Sequence, residues 1–192
     1  MERKNINLLR CREDDVSYIM GLQNFMHEEV QEFCCVKTER DKKIYLFSLG
    51  EKSIKKMLSS DKNIFIIAVS ENNIIGFICA WGIWQEETDV SRKKLLIQDM
   101  SVLKEYRRLG VGTSLVETLK KYSIENGYEK LFAATSRDDI PAINLAMKTG
   151  AERINRPPLT AIFFENEDIK IDIERDENYQ NYPASFRWRV SL

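Results

Sequence analysis

The feature that most constrains this chain is a glycine-containing loop between a hydrophobic segment and an amphipathic one. Residues 97–102 predict the end of a strand, and residues 111–125 carry apolar side chains at helical spacing. Between them stands Arg107-Arg-Leu-Gly110-Val-Gly112. Glycines before a helix let several backbone N–H groups converge, and the helix N-terminus adds about half a positive charge there. The loop therefore predicts a phosphate or pyrophosphate site, with Arg107 and Arg108 as cationic donors.

Three common phosphate-binding loops do not fit this sequence. A Walker A loop requires Gly-x-x-x-x-Gly-Lys-Ser/Thr, and the chain contains no such run. A dinucleotide-binding fingerprint requires a third glycine where Leu115 stands. A kinase loop fails at the same position and lacks its partner motifs. On the residues alone, the other interpretation is a glycine turn that joins a strand to a helix and binds nothing.

Composition narrows the class of protein. The 192 residues are 43% hydrophobic and 31% charged, as in one globular domain, and the net charge of −1 argues against a nucleic-acid partner. No apolar run has transmembrane length and the N-terminus shows no signal-like segment, so we expect no membrane partner. Cys11, Cys34, Cys35 and Cys79 match neither a metal spacing nor a disulfide framework. We therefore expect a cytoplasmic protein without a metal site.

The order of predicted elements indicates a mixed sheet with helices on both faces. Helices are predicted from Asp14-Asp15 onward, over 41–59, over 111–125, and from Asp138-Asp139 to Gly150. Strands are predicted at 6–10, 63–70, 74–84, 95–102, 130–135, 160–164 and 186–190, with a short one at 169–173.

The loop, in its strand–loop–helix context, resembles motif A of the GCN5-related N-acetyltransferase (GNAT) family, usually Arg/Gln-x-x-Gly-x-Gly/Ala after a strand. The later helix resembles the family's second signature in part. Its stretch 139–151 keeps Ala142, Leu145 and Gly150. It departs from the signature at Ala146, where the family has the tyrosine that protonates the leaving thiolate, and at Ala151, where the family has phenylalanine.

The resemblance implies a single domain over residues 1–192: a twisted, mostly antiparallel sheet with helices on both faces and splayed parallel central strands. It also implies acetyl-coenzyme A as co-substrate. Backbone groups of Met100 and Val102 would pair with the pantetheine arm. Asn144 either contacts the cofactor or lies on the helix surface. The pyrophosphate would be bound by the loop residues Arg107, Arg108, Leu109, Gly110, Val111, Gly112 and Thr113.

The activity implied is direct acetyl transfer to an amine of a small molecule or a protein. An amine with a pKa of about 10.4 is an ammonium ion at neutral pH. It must lose a proton before it attacks, so the site requires a base. Asp99 is the first candidate, and Glu86 and Glu87 are the next. His27 is expected to be structural. The alternative is a coenzyme-A-binding module with weak or lost catalysis, unless Tyr106, Tyr122, Tyr179 or Tyr182 replaces the missing acid. A homodimer is possible.

Overall fold

The computed structural model describes residues 5–21, 51–85, 92–135, 139–154 and 184–189. They form a seven-stranded sheet in the order β1-β2-β3-β4-β5-β7-β6. The strands are β1 (Asn7–Arg10), β2 (Ile64–Ser70), β3 (Asn73–Gln85), β4 (Arg92–Val102), β5 (Lys130–Thr135), β6 (Glu152–Ile154) and β7 (Ala184–Arg189). The helices are α1 (Glu51–Leu58), α2 (Val111–Glu125) and α3 (Ile140–Lys148), and residues 16–21 are also helical.

The sheet is mixed but mostly antiparallel, as predicted. β1 to β4 pair antiparallel in chain order, β4 and β5 pair parallel, and β7 pairs antiparallel with both β5 and β6. The parallel pair is joined by the crossover helix α2, which parallel strands require. The predicted strands at 160–164 and 169–173 lie outside the described residues. The three-residue β6 was not predicted, since it is too short to show a hydrophobic period.

Apolar residues are buried on both faces of the sheet, which explains why β2 reads as a continuous hydrophobic run. One face is covered by α2, whose inward stripe of Val111, Leu115 and Leu119 is buried with Leu131 of β5. The other face is covered by helical residues 16–21 and by α1, and its core members are Val16, Ile19, Ile54, Phe65 and Phe77. Within the described residues, no helix is long and apolar enough to cross a membrane.

The first helical segment begins differently from the prediction. We expected Asp14 or Asp15 to cap it, but the chain turns helical at Glu13, and the residue before the helix is Arg12. The Oδ2 atom of Asp15 accepts a hydrogen bond of 2.7 Å from the backbone N–H of Arg12. The carboxylate reaches back from inside the first turn, so it satisfies a backbone donor without occupying the cap position.

Helix α3 is capped as the sequence predicts, and the capping residue also contacts β5. Oδ1 of Asp139 accepts a hydrogen bond of 3.0 Å from the Ala142 N–H. Its Oδ2 accepts a bond of 3.0 Å from the Thr135 hydroxyl at the end of β5. Asp139 therefore joins the last residue of β5 to the start of α3. The helix ends before Gly150, whose φ of +83° suits glycine.

This double role predicts a graded response to substitution. Asp139→Ala removes both contacts and should lower the free energy of unfolding by about 1–2 kcal/mol, the usual cost of losing a cap. Asp139→Asn should cost less, because asparagine caps equally well and its amide can donate to the Thr135 oxygen. Urea unfolding of both variants, with Asp61→Ala as an exposed control, measures the difference. Unchanged stability of Asp139→Ala would show that the two contacts contribute nothing, and equal losses for Ala and Asn would show that asparagine does not replace the carboxylate.

Candidate active site

The two parallel strands at the centre of the sheet separate toward their carboxyl ends. β4 and β5 pair only at Lys94–Lys130, Leu95–Leu131 and Leu96–Phe132. Beyond Leu96, β4 continues to Val102 against β3, and β5 continues to Thr135 against β7. Each strand is held on its outer edge, while the described residues between them form no further pairs. We call the opening between residues 97–102 of β4 and residues 133–135 of β5 the wedge.

A bulge in β4 lies at the point where the wedge opens. Cys79 of β3 pairs with Asp99, and the next residue, Ala80, pairs with Ile97, so Gln98 is an extra residue in β4. Bulges bend a strand and increase its local twist. This bulge therefore bends β4 close to the point where its pairing with β5 ends. The sequence carries no signal for Gln98, because a bulge is decided by the pairing of two strands.

The backbone of β4 beyond the bulge presents alternate polar groups to the wedge. The N–H of Leu103 donates to the Ile75 carbonyl of β3 at 2.9 Å. Because backbone groups alternate in direction along a strand, those of Asp99, Ser101 and Leu103 face β3, and those of Met100 and Val102 face the wedge. These are the two residues whose main-chain groups the resemblance assigns to pantetheine. That assignment stays a prediction.

Two side chains bind this edge of β4. Oδ1 of Asp99 accepts a hydrogen bond of 2.7 Å from the Met100 N–H. The Nε–H of Arg107 donates to the Val102 carbonyl at 2.8 Å. Asp99 lies opposite Cys79, so its side chain leaves the sheet on the face covered by helical residues 16–21, not on the face of α2. The carboxylate thus stands at the wedge on the face away from α2.

The glycine-containing loop connects the end of β4 to α2. A 3₁₀ turn over Lys104–Tyr106 follows β4, and then two residues have left-handed backbone: Arg108 with φ of +64° and Gly110 with φ of +89°. The first helical hydrogen bond of α2 runs from the Ser114 N–H to the Gly110 carbonyl at 2.9 Å. The N–H groups of Val111, Gly112 and Thr113 precede it and have no partner within the helix. They form the predicted anion-binding end of α2.

Gly112 lies at a point of close packing. A Cβ at this position would lie 3.0 Å from the Cε atom of Met100 and 3.3 Å from a Cδ atom of Leu145. Both distances are tighter than ordinary van der Waals contact, so these two side-chain ends would have to shift to make room. The second glycine of the motif thus lets the first turn of α2 pack against side chains of β4 and α3 without that shift. Around Gly110 the same test finds open space, so its requirement is the positive φ.

The remaining predicted site residues lie in different environments, and some lie outside the described residues. Asn144 is exposed on α3, beside Leu145, and its contact with a cofactor stays a prediction. Leu109 is also exposed. Ala146 is buried in the core cluster beneath α2. Tyr122 stacks on Tyr128, with ring centroids 6.3 Å apart, near the end of α2 distant from the loop, a position that does not favour it as the missing acid. Outside the described residues lie Glu86, Glu87, His27, Tyr179 and Tyr182.

The two described cysteines, Cys11 and Cys79, are poor nucleophiles. Burial, with the Asp15 carboxylate adding to it, raises the pKa of the Cys11 thiol to about 12. Burial and then the negative charge of Asp99 raise the pKa of the Cys79 thiol well above its usual value. Both stay protonated at neutral pH, and the thiol form is not the reactive one. In the part of the chain that the structure describes, no group of histidine, cysteine or acidic residues could hold a metal ion.

Comparison with known proteins shows which family this chain resembles. The sequence model of the acetyltransferase (GNAT) family matches residues 22–151. The N-alpha-acetyltransferase of Sulfurisphaera tokodaii is 30% identical over 99 residues, 47% of this chain and 57% of that protein. The probable N-acetyltransferase camello of Xenopus tropicalis is 27% identical over 99 residues, 52% of this chain and 43% of that protein. The chain thus spans about half the length of the curated relatives it matches.

Among solved structures, a GNAT-family acetyltransferase from Staphylococcus aureus Mu50 superposes with a TM-score of 0.67 at 18% identity. The superposition covers 97% of this chain and 100% of that one, so the fold is shared over nearly the full length. The family match covers more than half of the chain and includes the strand, loop and helix described above. The chain belongs to the GNAT family of acetyltransferases, whose general reaction is acetyl transfer from acetyl-coenzyme A.

Proposed function

We propose that this chain is an N-acetyltransferase that moves an acetyl group from acetyl-coenzyme A directly to an amine. One observation carries the proposal: the edge of β4 that β5 leaves unpaired leads into a loop and a helix N-terminus whose first N–H groups have no partner within the helix. An extended amide-containing arm suits the first feature, because it can pair like a strand. A pyrophosphate suits the second. Acetyl-coenzyme A carries both groups in one molecule.

The pyrophosphate would be bound mainly by backbone. The N–H groups of Val111, Gly112 and Thr113 point out of the first turn of α2, where the helix dipole favours an anion. Arg108 is exposed beside them and can contribute a charged donor. Its left-handed backbone is uncommon for a residue other than glycine, asparagine or aspartate, and such conformations are often kept at functional sites.

Asp99 is the proposed base. An ammonium ion cannot attack a thioester, so a carboxylate must accept its proton, directly or through water. Asp99 stands at the wedge on the face away from α2, so an acceptor on that face would meet its carboxylate. In the reaction the amine nitrogen bonds to the acetyl carbon, the carbon–sulfur bond breaks, and the thiolate leaves. Glu86 and Glu87 remain the next candidates for the base.

The transfer is proposed to be direct, without an acyl-enzyme. A covalent route requires a nucleophile that is ionised and accessible. Cys79 is fully buried one strand from the wedge, and its raised pKa keeps it a thiol. Cys11 is buried and has a raised pKa as well. Neither of these described cysteines is suited to carry the acetyl group, which favours attack by the acceptor amine itself.

The acceptor is proposed to be an amine of a small molecule or of a protein. The Sulfurisphaera relative is named an N-alpha-acetyltransferase, which makes a protein N-terminus one candidate class. A screen of thiol release with peptide N-termini, lysine peptides and polyamines separates these classes. The expected cytoplasmic location, the homodimer and the absence of nucleic-acid or membrane partners stay predictions.

A coenzyme-A-binding module with weak or lost catalysis is the second candidate function, and Ala146 favours it. The residue stands where the resemblance expects a tyrosine that protonates the leaving thiolate, and it is buried in the core. A missing general acid lowers a rate by about 10²–10⁴-fold. A thiol has a pKa of about 8.5, so its thiolate can still leave without a general acid. Tight binding of acetyl-coenzyme A with no thiol release across the amine panel would favour the module.

Binding at the loop predicts a position-specific effect of charge. Gly110→Asp should weaken acetyl-coenzyme A binding at least about tenfold, because it adds negative charge and bulk beside the pyrophosphate. Gly127→Asp is the matched control, since Gly127 also has a positive φ, +70°, and lies at the far end of the same helix. Thermal unfolding checks that both variants fold, and calorimetry should detect weaker binding only in Gly110→Asp. Equal affinities for the two folded variants would contradict the assignment.

The role of Asp99 predicts a pH-dependent defect. Asp99→Asn keeps the shape of the side chain and should lower kcat by about 10² at neutral pH, where the amine is protonated. The deficit should shrink as the pH rises toward the pKa of the amine, because free amine then becomes abundant. Glu105→Gln, which removes an exposed carboxylate from the turn after β4, is the control. If Asp99→Asn keeps the wild-type pH–rate profile, the carboxylate is structural.

A further inference from the structure

We infer that Arg107 is a positioning residue that fixes the distance between the two cofactor subsites, whereas the adjacent, exposed Arg108 contacts the pyrophosphate directly. This inference rests on the proposed function. It starts from a difference between two adjacent arginines of the motif. Arg107 is half-buried and its Nε–H donates to the Val102 carbonyl at 2.8 Å. Arg108 is exposed and has left-handed backbone.

The Arg107 contact closes the turn that leaves β4. The Tyr106 N–H donates to the Leu103 carbonyl at 2.9 Å, and the Arg107 N–H donates to the Lys104 carbonyl at 3.1 Å. The side chain of Arg107 then returns to Val102, five residues earlier. These three bonds tie every peptide carbonyl from Val102 to Lys104 into one short unit. A donor that is charged makes the third bond stronger than a neutral one.

The unit stands between the two parts of the proposed cofactor site. On one side is the wedge-facing edge of β4, formed by Met100 and Val102. On the other is the anion-binding end of α2, formed by the N–H groups of residues 111–113. The pantetheine and the pyrophosphate of coenzyme A are covalently joined, so both parts must be correctly spaced for the whole ligand to bind. A fragment that occupies only one part does not require that spacing.

This difference gives Arg107 a measurable signature. Loss of the Arg107 contact should weaken the binding of coenzyme A, which spans both parts, but not of ADP, which carries the pyrophosphate without pantetheine. Loss of a direct phosphate ligand should weaken both ligands. The same logic predicts that Arg107→Lys recovers part of the loss, because an ammonium group can donate to the Val102 carbonyl although it lacks the planar fork of arginine.

The experiment measures the affinities of coenzyme A by calorimetry and of ADP by NMR titration for wild-type protein and four variants. We expect Arg107→Gln to weaken coenzyme A about tenfold and ADP less than about twofold, with Arg107→Lys between it and wild type for coenzyme A. Arg108→Gln should weaken both ligands by similar factors. Lys104→Gln, an exposed charge in the same turn, should change neither. Thermal unfolding identifies any variant that does not fold. If Arg107→Gln does not fold, the affinities of Arg107→Lys for coenzyme A and ADP test the inference instead.

Two results would overturn the inference. Equal weakening of ADP by Arg107→Gln and Arg108→Gln would make Arg107 a direct phosphate ligand. Unchanged coenzyme A affinity in a folded Arg107→Gln would show that the turn keeps its geometry without the side chain. Failure of wild-type protein to bind coenzyme A is a separate outcome, because it rejects the proposed function before the variants are compared.

Discussion

The incomplete pairing of β4 and β5 is the constraint on which the site depends. Three residue pairs join the strands, and the next residues of each are held only by an outer antiparallel neighbour. A sheet normally satisfies its own backbone groups, and leaving them unpaired away from water is costly. In this sheet the pairing between β4 and β5 ends next to the bulge in β4. The polar edge that results lies at the proposed cofactor site, where each strand is paired with its outer neighbour.

Side chains of the chain itself occupy part of that edge. Asp99 accepts the Met100 N–H, and Arg107 donates to the Val102 carbonyl. The negative Asp99 side chain meets a backbone donor, and the positive Arg107 side chain meets a backbone acceptor. Each charge therefore complements the backbone group that it contacts. Asp99 is the proposed base, whereas the Arg107 contact closes the turn after β4. The same strand edge therefore contacts both the proposed base, Asp99, and the proposed positioning residue, Arg107.

Close packing explains why the loop reaches the wedge at all. Met100, Gly112 and Leu145 come from a strand, the first turn of α2 and α3, and they meet at one point. A methyl group at Gly112 would force the side-chain ends of Met100 and Leu145 to shift. Behind this contact the buried stripe of α2 holds the helix against the sheet. The position of the helix dipole is thus set by core packing, and the glycines allow the approach.

Much of this arrangement was determined by local sequence. The strand–loop–helix order, the span of α2, the cap at Asp139 and the mixed sheet follow from hydrophobic period, glycine conformation and capping chemistry, all of which act over a few residues. The resemblance built on the loop led to the right family. The tertiary structure alone decided the bulge at Gln98, the face on which Asp99 stands and the different environments of Arg107 and Arg108. These depend on which strands pair and where they part, and residues distant in sequence set that geometry, so no local pattern could report it.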